Sequence, residues 1–505
     1  MRTLRASLLT VLALSCVVQA DAARRLDGAS VGLMANAPQL MVGRLELEWG
    51  DPQTLLDPRI KTAHGPGAQF RATLVDDAGV RRALDPDQAL RAAEDLYALY
   101  GRRIAVSTVP VAAKSSGLRR AALRERRIDA IVPIGDLSPS KAAEFPSKIA
   151  GVTPWVTLMC KFNDIATEQK TLDFFRSQYG AAAGQLDHYW QEVSYGQINL
   201  AGSDAYGWAT LPEPRSYYVA LDTTTNKDKA DLGKLFVDCV AAHDANVNFA
   251  VNGGVQGVNM MFNGDLDGFA WGGSRCATLD GVNKCWSTTW NPPWSFGNLA
   301  PLSHEMGHAY GLPHANNSDT DSDPYDNPWD VMSDSWNNAV GNATYGSLPK
   351  HINIYSRNRL GWVASERKLT VTAGSPARSI TIDRASRPGS PNRQMIILNY
   401  PDQSSRYYTL EVRKRGGSYE NRLAGDAVII HEVLTSRKEP AWSMDADTPP
   451  ANRANNEGSM FKVGETWISP DYAFRVKVES STTEGFVVTV RPGPRTGGPA
   501  PVQRQ

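Results

Sequence analysis

The sequence has no excess of charge of either sign. Its 505 residues contain 53 Lys and Arg against 53 Asp and Glu, so the formal net charge is zero. Nucleic acids and anionic membranes attract proteins through an excess of basic residues, so the charge balance indicates neither partner. Internal repeats and dominant low-complexity tracts are also missing, and 42% hydrophobic residues are typical of a globular protein. This length predicts about three structural units.

Long apolar runs are missing after the first residues of the chain. The run from Leu8 to Val18 is too short to span a bilayer. Two arginines precede it and the small residues of VVQADA follow, a pattern that predicts a signal peptide at residues 1–20. Residues 13–16 faintly resemble a lipoprotein box, which leaves a lipid anchor or a periplasmic location as the alternative. We expect a secreted protein without an integral membrane segment in the mature chain.

Cysteine is scarce, and removal of the signal peptide leaves four of the five. An even number in an exported chain predicts two disulfides, with three possible pairings. Cys276 with Cys285 would close a short loop around TLDGVNK, whose Asp-Gly pair is a turn signal, and Cys160 would then pair with Cys239. A zinc ion held by cysteines is the alternative, but the chain has no CxxC pair.

Patterns along the chain predict three units and a tail. Residues 21–145 contain strand-like runs and the basic stretch LRRAALRERR, which fit an accessory domain or a pro-region with Arg-rich cleavage sites. Residues 146–365 mix strand and helix patterns. Residues 366–492 are short alternating runs between turn residues, typical of an all-β sandwich or barrel. The Pro- and Gly-rich residues 493–505 predict a disordered tail.

Histidine is rare, with eight in the chain, yet three lie in LSHEMGHAYGLPH. The i, i+4 spacing of His304 and His308 puts both imidazoles on one face of a helix, where they can share one metal ion. Glu305 is rotated by about a third of a turn, so it can reach a metal-bound water without being a ligand. The pair of histidines and the glutamate therefore predict a metal site with a general base.

The end of the same helix is also predicted. Gly311 and Pro313 together end a helix, because Gly accepts a left-handed conformation and Pro cannot continue the hydrogen bonding. The chain can then turn and bring His314 to the first two histidines. Three neutral imidazoles leave one tetrahedral position open, as in catalytic zinc sites. The other histidines lack ligand-like spacing and are expected at the surface or in packed positions: His64, His188, His243, His351 and His431.

The pattern HExxHxxGxxH resembles the signature of the metzincin zinc peptidases, in which a methionine turn follows. Here YDNPWDVMS follows, and Met332 takes the place of that methionine, whose family role is an apolar floor beneath the ligands. The resemblance implies an α+β metzincin-like zinc peptidase domain, a mixed twisted sheet with an active-site helix. It would lie between an N-terminal accessory or pro-region and a C-terminal β-sandwich-like domain.

Other segments resemble the immune inhibitor A-like secreted metallopeptidases, with the gametolysin-like peptidases as near relatives. These segments are YWQEVSYGQINLAGSDAYGWATLPEPRSYY, INIYSRNRLGW and YYTLEVRKRGGSYENRLAGDAVIIHEV. The resemblance covers about residues 150 to 440, and only the zinc motif within it is highly specific.

The sequence also departs from these relatives. The stretch NVNFAVNGGVQGVN is nearly free of carboxylates, so no calcium site is carried over to it. Asp334 stands where some metzincins have a tyrosine that assists the transition state, and Tyr325 is a candidate to approach the site instead. A second calcium candidate has the 1, 3, 5, 12 spacing of a hand loop, but Pro324 replaces its required Gly, which favours a solvated loop. Its residues are Asp319, Asp321, Asp323 and Asp330.

These observations predict a secreted zinc-dependent metalloendopeptidase. Glu305 would act as the general base, and a protein or peptide substrate would lie extended along an edge strand, for which VNMMFNG is the candidate. The alternative is an exported β-rich adhesin or carbohydrate-binding protein that carries an inactive peptidase-like domain. Glu305 argues against it, because inactive homologues most readily lose the base or a ligand. A third hypothesis keeps the zinc but hydrolyses a non-peptide amide.

Overall fold

A computed structural model describes residues 38–53, 67–111, 126–134, 148–251, 254–319, 323–447 and 457–493. The predicted signal peptide, most of the basic stretch, Asp321 and nearly all of the predicted tail lie outside the described residues. In the described ranges the protein is mixed α/β, with many strands, a few short helices and a large β-rich body. No helix within these ranges has the length and apolar character needed to cross a membrane.

The N-terminal unit, residues 38–134, consists of strands around one short helix and has a hydrophobic core of its own. Asp85 caps the helix by accepting a hydrogen bond from the Gln88 amide, and Pro86 occupies its first turn. The elements are β1 Gln39–Pro52, β2 Gln69–Val75, β3 Arg81–Leu84, α1 Pro86–Ala92, a 3₁₀ turn at Tyr97–Leu99, β4 Arg103–Pro110 and β5 Arg126–Pro133.

The middle segment supplies most of the helices. Its elements are β6 Gly151–Val152, β7 Trp155–Lys161, α2 Leu172–Gln178, α3 Leu186–Val193, β8 Ile198–Asn199, β9 Asp204–Thr210, α4 Arg215–Tyr218, β10 Val219–Asp222, β11 Lys227–Ala230, α5 Leu232–His243, β12 Gly257–Phe262, β13 Phe269–Leu279, β14 Val282–Asn291, α6 Leu299–Ala309, β15 Ala315–Asn317, β16 Gly341–Asn342, β17 Gly346–Ser347, α7 Ile354–Arg359 and a 3₁₀ turn at Ser365–Arg367.

One ten-stranded sheet joins these two segments. Its order is β3-β2-β1-β13-β14-β12-β7-β9, with β4 and β5 branching from β1. The strands β14, β12, β7 and β9 run parallel, whereas β13 is antiparallel to β14 on one side and to β1 on the other. The strand VNMMFNG forms β12 as predicted. Its expected place at a sheet edge was wrong, because β14 and β7 pair with both of its sides.

Helices cover both faces of the sheet. Alternate residues of β7 point to opposite sides: Trp155 packs in a core with α2, α3 and α6, and Val156 in a core with α5. Two disulfides cross-link elements of this sheet and of the helices packed on it, and both have the predicted pairing. Cys160–Cys239 connects β7 to α5, and Cys276–Cys285 connects the neighbouring strands β13 and β14.

In the described residues after Arg367 the regular elements are all strands, as the alternating runs predict. These strands are β18 Lys368–Thr372, β19 Arg378–Asp383, β20 Met395–Tyr400, β21 Gln403–Arg413, β22 Ala427–Leu434, β23 Ala441–Ser443, β24 Thr466–Ile468, β25 Phe474–Ser481 and β26 Gly485–Pro492. They form a six-stranded sheet, β15-β23-β22-β21-β20-β18, and a four-stranded sheet, β19-β26-β25-β24. The two sheets share one hydrophobic core, which is a sandwich-like arrangement.

Candidate metal centre

The helix α6 carries two of the predicted ligands on one buried face. His304 and His308 are one turn apart, and their Nε2 atoms lie 3.0 Å from each other. Neither side chain is exposed to solvent. Gly272 of β13 allows the sheet to lie directly on this helix, since a Cβ at that position would come within 2.4 Å of the Glu305 carbonyl oxygen. The i, i+4 spacing of His304 and His308 therefore places both imidazoles on one face of α6, as predicted.

Backbone carbonyls fix the orientation of both imidazoles. The Nδ1–H of His304 donates to the Val331 carbonyl at 2.6 Å, and that of His308 donates to the Leu312 carbonyl at 2.7 Å. With the proton on Nδ1, each Nε2 carries a lone pair, the form that binds metals. Burial, with the neighbouring His314 and His304, lowers the pKa of His308 to about 3, so this ring is neutral near pH 7.

The turn after α6 brings in the third histidine. Gly311 adopts φ +86°, the Leu312 amide donates to the Gly307 carbonyl at 3.0 Å, and the Gly311 amide donates to the His308 carbonyl at 2.8 Å. This is a Schellman motif, which a left-handed Gly permits. His314 follows, with its Nε2 3.2 Å from that of His308. The next residues form β15, which pairs with β23 and ties this histidine to the C-terminal sheet.

The fourth member of the cluster is Asp51, at the end of β1. Its Oδ1 lies 2.6 Å from His314 Nε2, and its Oδ2 lies 3.2 Å from His308 Nε2 and 3.4 Å from His304 Nε2. Sequence analysis missed this residue. Asp51 stands in a strand-like run with no other ligand at a recognisable spacing, and only the pairing of β1 with β13 brings it to α6.

The donor set fits a metal ion. One donor atom from each of the four residues lies within 4.8 Å of all the others, so this group could hold a cation. Nitrogen lone pairs that face one another repel unless a cation lies between them. Tetrahedral zinc with bonds of 2.0–2.1 Å would separate two nitrogen ligands by about 3.3 Å, close to the observed spacings. The donors therefore fit zinc in chemistry and in size, although they do not identify the metal.

Glu305 lies beside the cluster without belonging to it. Its side chain is fully buried, and neither carboxylate oxygen has a hydrogen-bond partner among the described residues. Burial and the nearby Asp51 carboxylate raise the pKa of Glu305 well above its usual range. A buried carboxylate without a donor is costly, so its position beside the cluster indicates chemistry more than stability.

Met332 packs against the helix α6, and its role as a floor of the site stays a prediction. It is fully buried in the core that contains α6, and a Cβ at Gly307 would come within 2.3 Å of its sulfur. Asp330 builds the turn around it by accepting hydrogen bonds from the amides of Met332 at 2.8 Å and Asn353 at 3.2 Å. The carboxylate that was the last member of the candidate calcium loop thus holds the methionine turn. The solvated loop that the sequence favours over a calcium site there stays a prediction, because Asp321 lies outside the described residues.

Tyr325 reaches the cluster. Its hydroxyl donates to the Asp51 carboxylate, and its ring centre lies 5.3 Å from that of His314. Asp334, in contrast, accepts hydrogen bonds from the amides of Trp336 and Asn337. The tyrosine that contacts the cluster is therefore Tyr325, which precedes Met332 in the chain, and position 334 makes no contact of this kind.

The remaining described histidines lie elsewhere, in packed or paired positions. His243 is buried, with its Nε2 3.2 Å from the Met159 carbonyl. His188 lies 3.0 Å from the Tyr419 hydroxyl, and the His351 Nε2 lies 2.9 Å from a Glu192 carboxylate oxygen. Among the residues that the structure describes, the group around Asp51 is the one metal-ligand cluster found.

Comparison with known proteins leaves the family open. No protein-family model and no curated protein matches the chain. Six chains of solved structures match, among them OgpA from Akkermansia muciniphila. That match has 10% sequence identity and a TM-score of 0.23, and covers 58% of this chain and 92% of that one. A TM-score this low supports no inference about fold or function.

Proposed function

We propose that the protein is an exported zinc-dependent metalloendopeptidase with the ligands His304, His308 and His314. The observation that carries this proposal is the convergence of three buried imidazole Nε2 atoms beside a buried carboxylate, Glu305, that has no hydrogen-bond donor among the described residues. The two disulfides support export, because such bonds persist in oxidising compartments. The metzincin-like and immune inhibitor A-like assignment belongs to the same proposal.

The chemistry follows from the positions of the side chains. Zinc, when bound, lowers the pKa of a water ligand toward neutrality and polarises the scissile carbonyl. Glu305 accepts the proton of the attacking water and delivers it to the leaving amine. Its burial suits this role, since burial and the nearby Asp51 carboxylate raise its pKa, which makes the carboxylate a stronger base. Tyr325, whose hydroxyl donates to the Asp51 carboxylate in the cluster, would donate a hydrogen bond to the developing oxyanion.

The substrate in this proposal is a peptide that extends along β13. This strand lies directly on α6 at Gly272, and it runs antiparallel to its neighbour β14. A peptide that adds to a sheet edge is held by main-chain hydrogen bonds, which accept many sequences. In the described structure β1 and β14 pair with both sides of β13, so a peptide could add to β13 only if β1 left it.

The decisive experiment is casein or gelatin hydrolysis by the secreted protein, with and without o-phenanthroline. Glu305→Gln should reduce kcat by about 100- to 10,000-fold, because that is the range general acid–base catalysis contributes, while the zinc content stays unchanged. Glu366→Gln, at an exposed position, is the control and should leave both unchanged. Hydrolysis that survives both the chelator and Glu305→Gln would contradict the proposal. Bound zinc without hydrolysis of any protein would favour the binding-protein alternative.

A further inference from the structure

One loop of the C-terminal sheets comes close to the candidate metal centre. It consists of residues 435–440 and connects β22 to β23. The strand β23 begins directly after the loop, and its first residue, Ala441, pairs with Ala315, the residue that follows His314. The pairing of β15 with β23 therefore holds the end of this loop beside the third histidine of the centre.

The same loop lies on the side of the centre where β1 is found. The Tyr97 hydroxyl donates to the Lys438 carbonyl of the loop at 2.8 Å. Tyr97 stacks on Trp49 of β1, with ring centres 6.1 Å apart, and Trp49 stacks on the His308 ring, with ring centres 4.9 Å apart. In the proposed function a peptide takes the place of β1 on β13, and residues 435–440 then border the cleft that holds this peptide.

Glu439 is the acidic residue of this loop. It is partly exposed, and its carboxylate makes no hydrogen bond or ion pair with any residue that the structure describes. The two cations that precede it have other partners, since Arg437 lies 3.0 Å from the Glu432 carboxylate and Lys438 lies 3.4 Å from that of Asp87. The loop therefore brings a carboxylate without a cationic partner to the neighbourhood of the metal centre.

The electrostatic surroundings of Glu439 agree with this position. Burial raises the pKa of its carboxyl group, and the proximity of His314, followed by that of Lys438, opposes the rise. A charged group that has lost part of its hydration gains from a cation placed beside it, because the interaction is stronger away from bulk water. A lysine or arginine side chain of a bound peptide would supply that cation.

We propose that Glu439 determines the cleavage specificity of this enzyme by binding a lysine or arginine side chain of the substrate close to the scissile bond. This inference rests on the proposed function. Main-chain pairing along β13 accepts many sequences, so a side-chain contact is needed to select among them. The C-terminal sheets thus contribute a residue to the choice of the cleaved bond.

The test uses the secreted protein and maps by mass spectrometry the bonds that it cleaves in casein. Bonds with lysine or arginine at one fixed position should be enriched, and Glu439→Gln should remove this enrichment. Two fluorogenic peptides with lysine or glutamine at that position then give the ratio of kcat/KM. This ratio should fall by about tenfold in Glu439→Gln, as expected for the loss of a hydrogen bond between charged groups. Glu439→Lys should shift the preference to aspartate and glutamate.

Two control variants separate the charge of Glu439 from other effects. Glu439→Asp keeps the carboxylate and should keep the enrichment of lysine and arginine. Glu366→Gln, at an exposed position, should leave the set of cleaved bonds unchanged. The zinc content should be the same in all variants. A loss of zinc from Glu439→Gln would mean that this residue acts on the metal and not on the substrate, which would overturn the inference.

The two proposals fail in different ways. If the chelator and Glu305→Gln abolish hydrolysis while Glu439→Gln cleaves the same bonds as the parent chain, the peptidase stands and the role of Glu439 is wrong. The same holds if the parent chain shows no enrichment of lysine or arginine at any position. If neither the parent chain nor any variant hydrolyses casein, both proposals are wrong.

Discussion

Two buried clusters of histidines and carboxylates lie in this protein, and they are built in different ways. The metal centre consists of Asp51, His304, His308 and His314. What we call the charge cluster lies between the middle segment and the C-terminal sheets, and it contains arginine as well as histidine. Its members are Glu192, His351, Glu411, Arg413, Glu420 and His431.

The charge cluster contains a cation of its own, Arg413. Arg413 donates to the Glu420 carboxylate and to the Trp329 carbonyl, and His351 lies 2.9 Å from Glu192 and 3.5 Å from Glu420. Burial and the nearby Arg413 lower the pKa of His431 to about 3, so this histidine is neutral. The metal centre has no Arg or Lys among its members, and its lone pairs converge on one point. Donor atoms that converge without an arginine or lysine among them are typical of a metal site, whereas carboxylates paired with an arginine are typical of a structural ion-pair network.

The largest effect should follow from His308→Gln. Removal of one of three nitrogen ligands should weaken zinc binding by more than the roughly 10- to 100-fold that the loss of an outer hydrogen bond costs. His431→Gln, in the charge cluster, is the matched control and should keep its zinc. Metal content after dialysis against a chromophoric chelator measures both. Loss of zinc from the His431 variant, or its retention by the His308 variant, would break the distinction between the clusters.

The two sides of the metal centre differ in how far the sequence predicts them. His304, His308, Gly311 and His314 lie in one short stretch, where helical geometry and a Gly-ended helix determine their positions. Asp51 lies 263 residues before His314, and it reaches the site through the pairing register of β1 and β13. Alternation predicts that a strand exists, but it does not say which strand becomes its neighbour. For the same reason β12 was recognised as a strand and wrongly expected at an edge.

A smaller effect, on stability alone, should follow from Arg413→Met. This change leaves the carboxylates of Glu420 and Glu411 buried without their guanidinium, and breaking a buried ion pair costs about 3–5 kcal/mol. The midpoint of urea unfolding should fall, while the zinc content of the folded protein should not change. Arg422→Met, at an exposed position, is the control and should have little effect on the midpoint. A loss of zinc at an unchanged midpoint would mean that the charge cluster supports the metal centre directly.

The smallest effect should be a change in the pH dependence of stability on Glu411→Gln. Burial, opposed by Arg413 and Arg357, raises the pKa of Glu411 from 4.5 to about 7. The folded state therefore holds this proton more tightly than the unfolded state. The resulting stability is fully present below about pH 4.5 and is lost as the pH rises through about 7.

Glutamine resembles the protonated acid and does not titrate. The free energy of unfolding of the variant should therefore not fall with the contribution of Glu411 as the pH rises. Relative to the parent chain, it should gain about 3 kcal/mol between pH 4.5 and pH 8, because one pKa unit corresponds to about 1.4 kcal/mol. Urea unfolding of both proteins at the two pH values measures the difference. A constant difference between the two curves would mean that Glu411 is ionised in the folded protein and that Arg413 compensates both of its carboxylate neighbours. The carboxylates of the charge cluster would then all be ionised, and the presence of Arg413 would be the one feature that distinguishes this cluster from the metal centre.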